Sequence, residues 1–201
     1  MLDNIIKDNI NEAIRILQNG GLIIFPTETV YALACDAASK PAIEKLSQLK
    51  MRDAGKPFSI MVSSLHQVKK IALIDAKITR LFKELTPGPI TIICNAKQSF
   101  KTSPATIGIR IPDNIIALTI LKKFKKPIIA TSVNKTSKPS ATSIATIDKE
   151  LLPHIDYIIN GGKCELGISS TIVDMTKEMP NFLREGNIKY EKILATINNE
   201  R

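Results

Sequence analysis

Short apolar runs alternate with segments of helical period along almost the whole chain, and only a sheet packed against helices uses both patterns. Ile6, Ile10, Ala13, Ile14 and Leu17 recur at helical spacing, and Asn19-Gly20-Gly21 stops that helix. Leu22 to Phe25 reads as a buried strand ended by Pro26. Ser39 caps a second helix, with Pro41 in its first turn and Ile43, Leu46 and Leu49 facing inward. Phe58 to Val62 reads as a strand. Ile78, Leu81, Phe82 and Leu85 mark a helix closed by Pro87-Gly88-Pro89, and Ile90 to Cys94 is the next strand. Ile107, Ile109 and Ile111 alternate with small or polar residues, as on a strand with one buried face. A helix from Ile115 to Phe124 and a strand from Ile128 to Thr131 follow. Ile144, Ile147 and Leu151 predict a further helix. Tyr157 to Ile159, Thr171 to Val173 and Phe182 to Arg184 read as late strands, and Tyr190 to Ile197 as a last helix. The class is α/β or α+β, and one domain over residues 1–201 is the simplest organisation.

Aromatic residues make up 4% of the chain and Trp is absent, so Ile, Leu, Val and Ala must build the core. Cys35, Cys94 and Cys164 are odd in number and widely spaced, which fits buried small hydrophobes in a reducing compartment better than a disulfide framework. Met1 to Gly20 carries acids and no apolar core of signal-peptide type. No stretch approaches the roughly 18 apolar residues of a membrane span. A soluble cytoplasmic protein with no membrane partner is the expectation. The net charge is +9, with bases spread along the chain. Such an excess attracts nucleotides or nucleic acid, or simply solvates the surface.

Ligands in open α/β sheets bind beyond strand ends, and six polar clusters sit there. Pro26-Thr27-Glu28-Thr29-Val30-Tyr31 offers two hydroxyls and a carboxylate, suited to an amino acid or to internal turn bonds. Lys50-Met51-Arg52, with Lys56 close by, groups three cations at a helix end. A polyphosphate would satisfy them, as would the helix terminus itself. Arg110 should lie on the face opposite Ile109 and Ile111, either exposed or paired with a carboxylate. The remaining clusters are Ala130 to Asn134, Leu183 to Gly186, and Gly161-Gly162 with Ile168 to Thr171, a Gly pair that makes either a plain turn or an anion-binding set of N–H groups. His66 and His154 are the only histidines and form no triad-like or metal-like pattern. No P-loop or dinucleotide fingerprint is present. Cations and hydroxyls without a nucleophile fit the positioning of phosphates.

In this order the clusters resemble the YrdC-type threonylcarbamoyl-AMP synthase family in its short form. Residues 21–36, G-L-I-I-F-P-T-E-T-V-Y-A-L-A-C-D, are similar to its opening signature. Lys50-x-Arg52, Lys56 and Ser132-x-Asn134 match its basic and polar set. Thr86 to Thr91, Gly108 to Pro112, Ser137 to Thr142, Gly161-Gly162 and Ser170 to Asp174 also fall in place, so the resemblance covers about residues 10–190. Ala32 and Ala34 stand where that family usually has glycines, Ser169 where Glu is frequent, and Glu185 where Pro is frequent.

The resemblance implies a twisted mixed parallel and antiparallel sheet flanked by helices, with a positive concave face. It implies threonine contacts at Thr29, Arg110, Ser132 and Ser170, with the backbone near Met61. It implies ATP contacts at Arg52, Lys56, Thr106, Asn134, Thr142 and Arg184, and a catalytic charge set of Lys50, Arg52 and Lys56. The implied substrates are ATP, L-threonine and bicarbonate. Mg²⁺ would be held mainly by the phosphates, since no carboxylate cluster is evident. The implied downstream partners are threonylcarbamoyl-transfer proteins acting on position 37 of tRNA, with tRNA or double-stranded RNA a candidate direct ligand. An RNA-binding or ribosome-assembly module without catalysis is the competing expectation.

Overall fold

A computed structural model describes residues 4–51, 58–100, 105–134 and 138–198. Its elements run α1 (Asn4–Gln18), β1 (Ile23–Phe25), β2 (Ala32–Asp36), α2 (Lys40–Leu49), β3 (Ser59–Met61), α3 (Leu65–Ile71), β4 (Ala72–Leu73), α4 (Ala76–Leu85), β5 (Ile90–Ala96) and β6 (Thr106–Arg110). After these come α5 (Ile115–Phe124), β7 (Ile128–Ser132), β8 (Tyr157–Ile158), β9 (Thr171–Asp174), β10 (Asn181–Arg184) and α6 (Tyr190–Asn198). Each helix starts and stops for a local reason. Gly20 takes φ +75° after α1, and the Gly21 N–H reaches back to the Ile16 carbonyl. Ser39, Ser64, Asp75 and Asn114 cap α2, α3, α4 and α5 through their side-chain oxygens.

The strands form one mixed sheet in the order β10-β9-β5-β6-β3-β7-β2-β1-β8, with β4 paired to the far end of β5. β1–β8, β3–β6 and β5–β9 are parallel; the other pairs are antiparallel. Because side chains alternate along a strand, the register sorts them into two faces. Ile60, Ile92, Cys94, Ile107, Ile109 and Val173 share one face beneath α3, α4 and α6. Farther along the same face, Ile24, Leu33, Cys35 and Ile129 pack under α2.

The opposite face is covered only in part. α1 and α5 bury Ile23, Phe25, Ala32, Ala34, Met61, Ile128 and Ala130 on it. From β3 outward to β10 the same face presents Ser59, Arg110, Gly108, Thr106, Thr91, Ile93, Asn95, Ile172 and Asp174. Among the described residues no helix packs an apolar stripe there. Half a sheet face left open is the site's platform.

The structure departs from the sequence reading in four elements. β2 is a strand the pattern did not announce, because all five of its residues are buried and it shows no alternation. α3, with seven residues, and β4, with two, are too short to show a period. The helix expected over Ile144 to Leu151 is instead two 3₁₀ turns, Ile144–Thr146 and Leu152–His154. Thr146 Oγ1 accepts the N–H groups of Thr142 and Ser143, and Asp148 Oδ1 accepts that of Glu150, so side chains replace helical bonding. Among the described residues no helix is long and apolar enough to cross a membrane.

Candidate active site

At the edge of the open half-face lies a cavity of about 190 Å³, lined among others by Met61, Thr91, Arg110, Ser132, Ser170 and Arg184. Sites for drug-sized ligands measure roughly 300–1,000 Å³. This one suits a group the size of an amino acid, and anything larger must extend over the open platform.

One wall is built on Arg110, which ends β6 and is 6% exposed. Its Nη2 donates to Glu28 Oε1 at 2.8 Å and to Thr29 Oγ1 at 2.7 Å. Of the two alternatives for a strand Arg, pairing with a carboxylate is the one realised. Thr27 shapes the loop that delivers Glu28 and Thr29. Its hydroxyl donates to the Val30 carbonyl and accepts the N–H groups of Thr29 and Val30. The Thr29 hydroxyl lies 2.8 Å from that of Thr27, so Thr29 must be the donor between them. Thr29 is therefore wholly buried and reaches the cavity through Arg110. Two buried atoms of this pair, Arg110 Nε and Glu28 Oε2, have no hydrogen-bond partner among the described residues. Arg110 itself still lines the cavity, so its charge remains within reach of a bound group.

Arg184, from edge strand β10, completes this wall. Its Nε donates to the Ser170 carbonyl at 2.9 Å and its Nη2 to Ser170 Oγ at 3.3 Å. The residue as a whole is exposed, but burial of its guanidinium end, then the like charge of Arg110, hold that group below the usual arginine range. Two guanidiniums line this wall and only that of Arg110 is paired with a carboxylate, which favours an incoming anion. Gly186 is required beside them, because a Cβ there would lie 2.3 Å from the Ser169 carbonyl oxygen. Thr91, which the sequence reading did not single out as a site residue, also lines this wall. A lone hydroxyl in the apolar run Ile90 to Cys94 was the available signal.

The other wall is organised by Lys50. It caps the C-terminal end of α2, yet is 6% exposed. Its ammonium donates to the carbonyls of Ser132 and Asn134 and to Asn134 Oδ1. Ser132 Oγ donates to the same Oδ1 at 2.6 Å, and Asn134 Nδ2 to the Lys138 carbonyl. Lys50, Ser132 and Asn134 are thus one unit that fixes the exit of β7, and Ser132 faces the cavity with only acceptor capacity left.

The other expected site residues scatter more widely. Met61 stands beside Arg110 in the β3–β6 register. Thr106 shares the face of Arg110 but begins the strand, about 13 Å away at 3.3 Å per residue. Thr142 lies in the turn under Thr146, and its carbonyl accepts the Cys164 N–H. Arg52 and Lys56 lie outside the described residues. The Gly161-Gly162 pair makes no anion nest. Its N–H groups go to Tyr31 Oη and Asn160 Oδ1, and Tyr31 Oη donates to the Gly162 carbonyl. All three cysteines are buried and free. Burial pushes the thiols of Cys35 and Cys94 up to about 12, and that of Cys164 upward too, so none is a ready thiolate.

Comparison with known proteins places this architecture. The sequence model of the Sua5/YciO/YrdC family, described as telomere recombination, matches residues 15–186. The chain belongs to that family. It is 32% identical over 186 residues to the threonylcarbamoyl-AMP synthase of Pyrococcus abyssi, covering 90% of this chain but 55% of that protein. A putative threonylcarbamoyl-AMP synthase of Methanocaldococcus jannaschii is 35% identical over 177 residues, covering 87% of this chain and 84% of the relative. The crystal structure of Pyrococcus abyssi Sua5 complexed with L-threonine superposes with a TM-score of 0.88 at 32% identity, over 96% of this chain and 58% of that one. Escherichia coli YciO, whose protein is named uncharacterized, superposes with a TM-score of 0.84 at 30% identity, over 92% of each chain. The chain spans little more than half of the Pyrococcus relative and nearly all of YciO, so its length is that of the single-domain members.

Proposed function

We propose that this chain is an L-threonylcarbamoyladenylate synthase. The observation that carries the reading is the cavity itself: amino-acid-sized, with two guanidiniums and two hydroxyls on one wall. The likeness to a Sua5 structure complexed with L-threonine supports it.

In this reading the threonine carboxylate meets Arg110 and Ser170, and its amine donates to Ser132, whose own proton is engaged with Asn134. The unprotonated amine adds to carbon dioxide with release of a proton, or to bicarbonate with release of water, and gives N-carboxy-threonine. That new carboxylate attacks the α-phosphorus of ATP, the bond to the β-phosphate oxygen breaks, and pyrophosphate leaves. No protein nucleophile takes part. The nucleotide extends from the cavity over the open platform toward Gly108 and Thr106, with Asn134, Thr142 and Arg184 beside it. Lys50, Arg52 and Lys56 are the charge set of the proposal. Arg52 and Lys56 offset the repulsion between carbamate and triphosphate, while Lys50 holds the Ser132–Asn134 unit. Mg²⁺ arrives with ATP, bound by phosphate oxygens and water; among the described residues no group of three His, Cys, Asp or Glu side chains stands ready to hold it. The product supplies threonylcarbamoyl-transfer proteins that modify position 37 of tRNA.

The test is pyrophosphate release from ATP. Release should require L-threonine and bicarbonate together. Release without threonine, or none with all three present, contradicts the reading. Arg52→Ala and Lys56→Ala should each raise the ATP requirement in that assay while the melting temperature stays near that of the parent.

A further inference from the structure

Thr91 lies between Ile90 and Ile92 in β5, is 3% exposed, and lines the cavity. The register that sets Ile92 opposite Ile109 brings Thr91 opposite Arg110, and β9 sets Ile172 beside it. Its Oγ1 is 2.8 Å from Ser170 Oγ, and Arg184 Nη2 donates to that same Ser170 oxygen. A proton count follows. Each hydroxyl carries one proton. One proton is used between the two oxygens, whichever residue donates. The other has no acceptor among the described residues. The pair therefore keeps a single O–H donor, held between two guanidiniums.

We propose that Thr91 is a positioning residue: its hydrogen bond to Ser170 fixes where the pair's one free O–H points, toward the carboxylate of the bound amino acid. This rests on the reading that the cavity takes an amino acid. A neutral donor placed between Arg110 and Arg184 matches an acceptor that is anionic, because a cationic or donor group would meet three like partners. Arg110 supplies charge, Arg184 holds the Ser170 oxygen from the nucleotide side, and the hydroxyl pair fixes where the second carboxylate oxygen sits.

The experiment measures binding by calorimetry for the full chain and for Thr91→Val, which keeps the shape and removes the hydroxyl, and Thr91→Ser, which keeps the hydroxyl. The ligands are L-threonine, L-threonine amide, a panel of other L-amino acids, and ATP alone. Thr91→Val leaves Ser170 its proton but not the partner that aims it, so L-threonine should bind roughly fivefold or more weakly, about 1 kcal/mol, with ATP binding unchanged. Thr91→Ser should stay within about twofold, since a charged acceptor still finds its donor. The amide should bind poorly and alike to all three proteins. If Thr91→Val melts early, Thr91→Ala is compared with Thr91→Ser, because the two differ only in the hydroxyl. Folded variants that lack the hydroxyl and bind L-threonine as tightly as the parent overturn the proposal and leave the threonine reading standing. A parent that prefers another amino acid, with the same loss on Thr91→Val, upholds Thr91 and contradicts the threonine reading. A parent that binds no amino acid overturns both.

Discussion

Arg110 lines the cavity and Lys50 stands behind Ser132, which lines it too; each is 6% exposed, and they are buried by different means. Arg110 meets a carboxylate, yet its Nε and Glu28 Oε2 are left without partners among the described residues. Lys50 meets neutral oxygens, with at least three acceptors around its ammonium. The first arrangement keeps a charge available to a ligand. The second directs the charge into the backbone of the β7 exit, so that it shapes a loop. Two buried cations in one site thus have two tasks, and burial alone does not separate them.

Removing one member of the Arg110 pair should break the comparison most visibly. Glu28→Ala leaves a guanidinium buried without its counter-charge, which costs about 3–5 kcal/mol. At roughly 2–4 °C per kcal/mol for a domain of this size, a thermal melt should fall by about 10 °C. A melt within about 2 °C of the parent would mean that the pair does not hold the wall together. Lys50→Met should come next, at roughly 1–3 kcal/mol, because oxygens are left unsatisfied in a buried place. It should also weaken every ligand that uses Ser132 or Asn134. Loss of ATP binding alone, with an unchanged melt, would show Lys50 acting on phosphate directly.

These contacts explain what the sequence could and could not reveal. The alternation Ile107, Ile109, Ile111 was enough to place Arg110 on the face opposite that of Ile109. Its partner Glu28 lies 82 residues earlier and was visible only as one acid in a Thr-rich loop. Strands β3, β7 and β2 separate β6 from the start of that loop in the sheet order, and no local period encodes such an order. Lys50 looked like a helix-end cation for the same reason: its oxygens come from residues 82–84 positions later. β2 was missed because burial on both faces erases alternation. Ser39 and Gly20 were legible because caps depend on neighbours in sequence.

A smaller effect sharpens the division of the platform. Gly108 lies between Arg110 and Thr106 on the open face, and a Cβ there would sit 3.2 Å from Thr91 Cγ2. Gly108→Ala should change stability by less than about 1 kcal/mol, since Ala is the better strand residue by roughly 0.5–1 kcal/mol and the tight contact offsets it. A methyl on the floor should raise the ATP requirement more than the threonine requirement. The reverse order would place the amino acid, and not the nucleotide, over Gly108.

The division of labour between the walls is tested most directly by Arg110→Lys, which keeps a cation near Glu28 and removes the planar fork. The measurement is the L-threonine and ATP dependence of pyrophosphate release for both proteins. The threonine requirement should rise roughly tenfold or more, about 1.4 kcal/mol per decade, with a much smaller change for ATP. Damage to ATP use first, with the threonine requirement unchanged, would assign Arg110 to the phosphates and contradict the account.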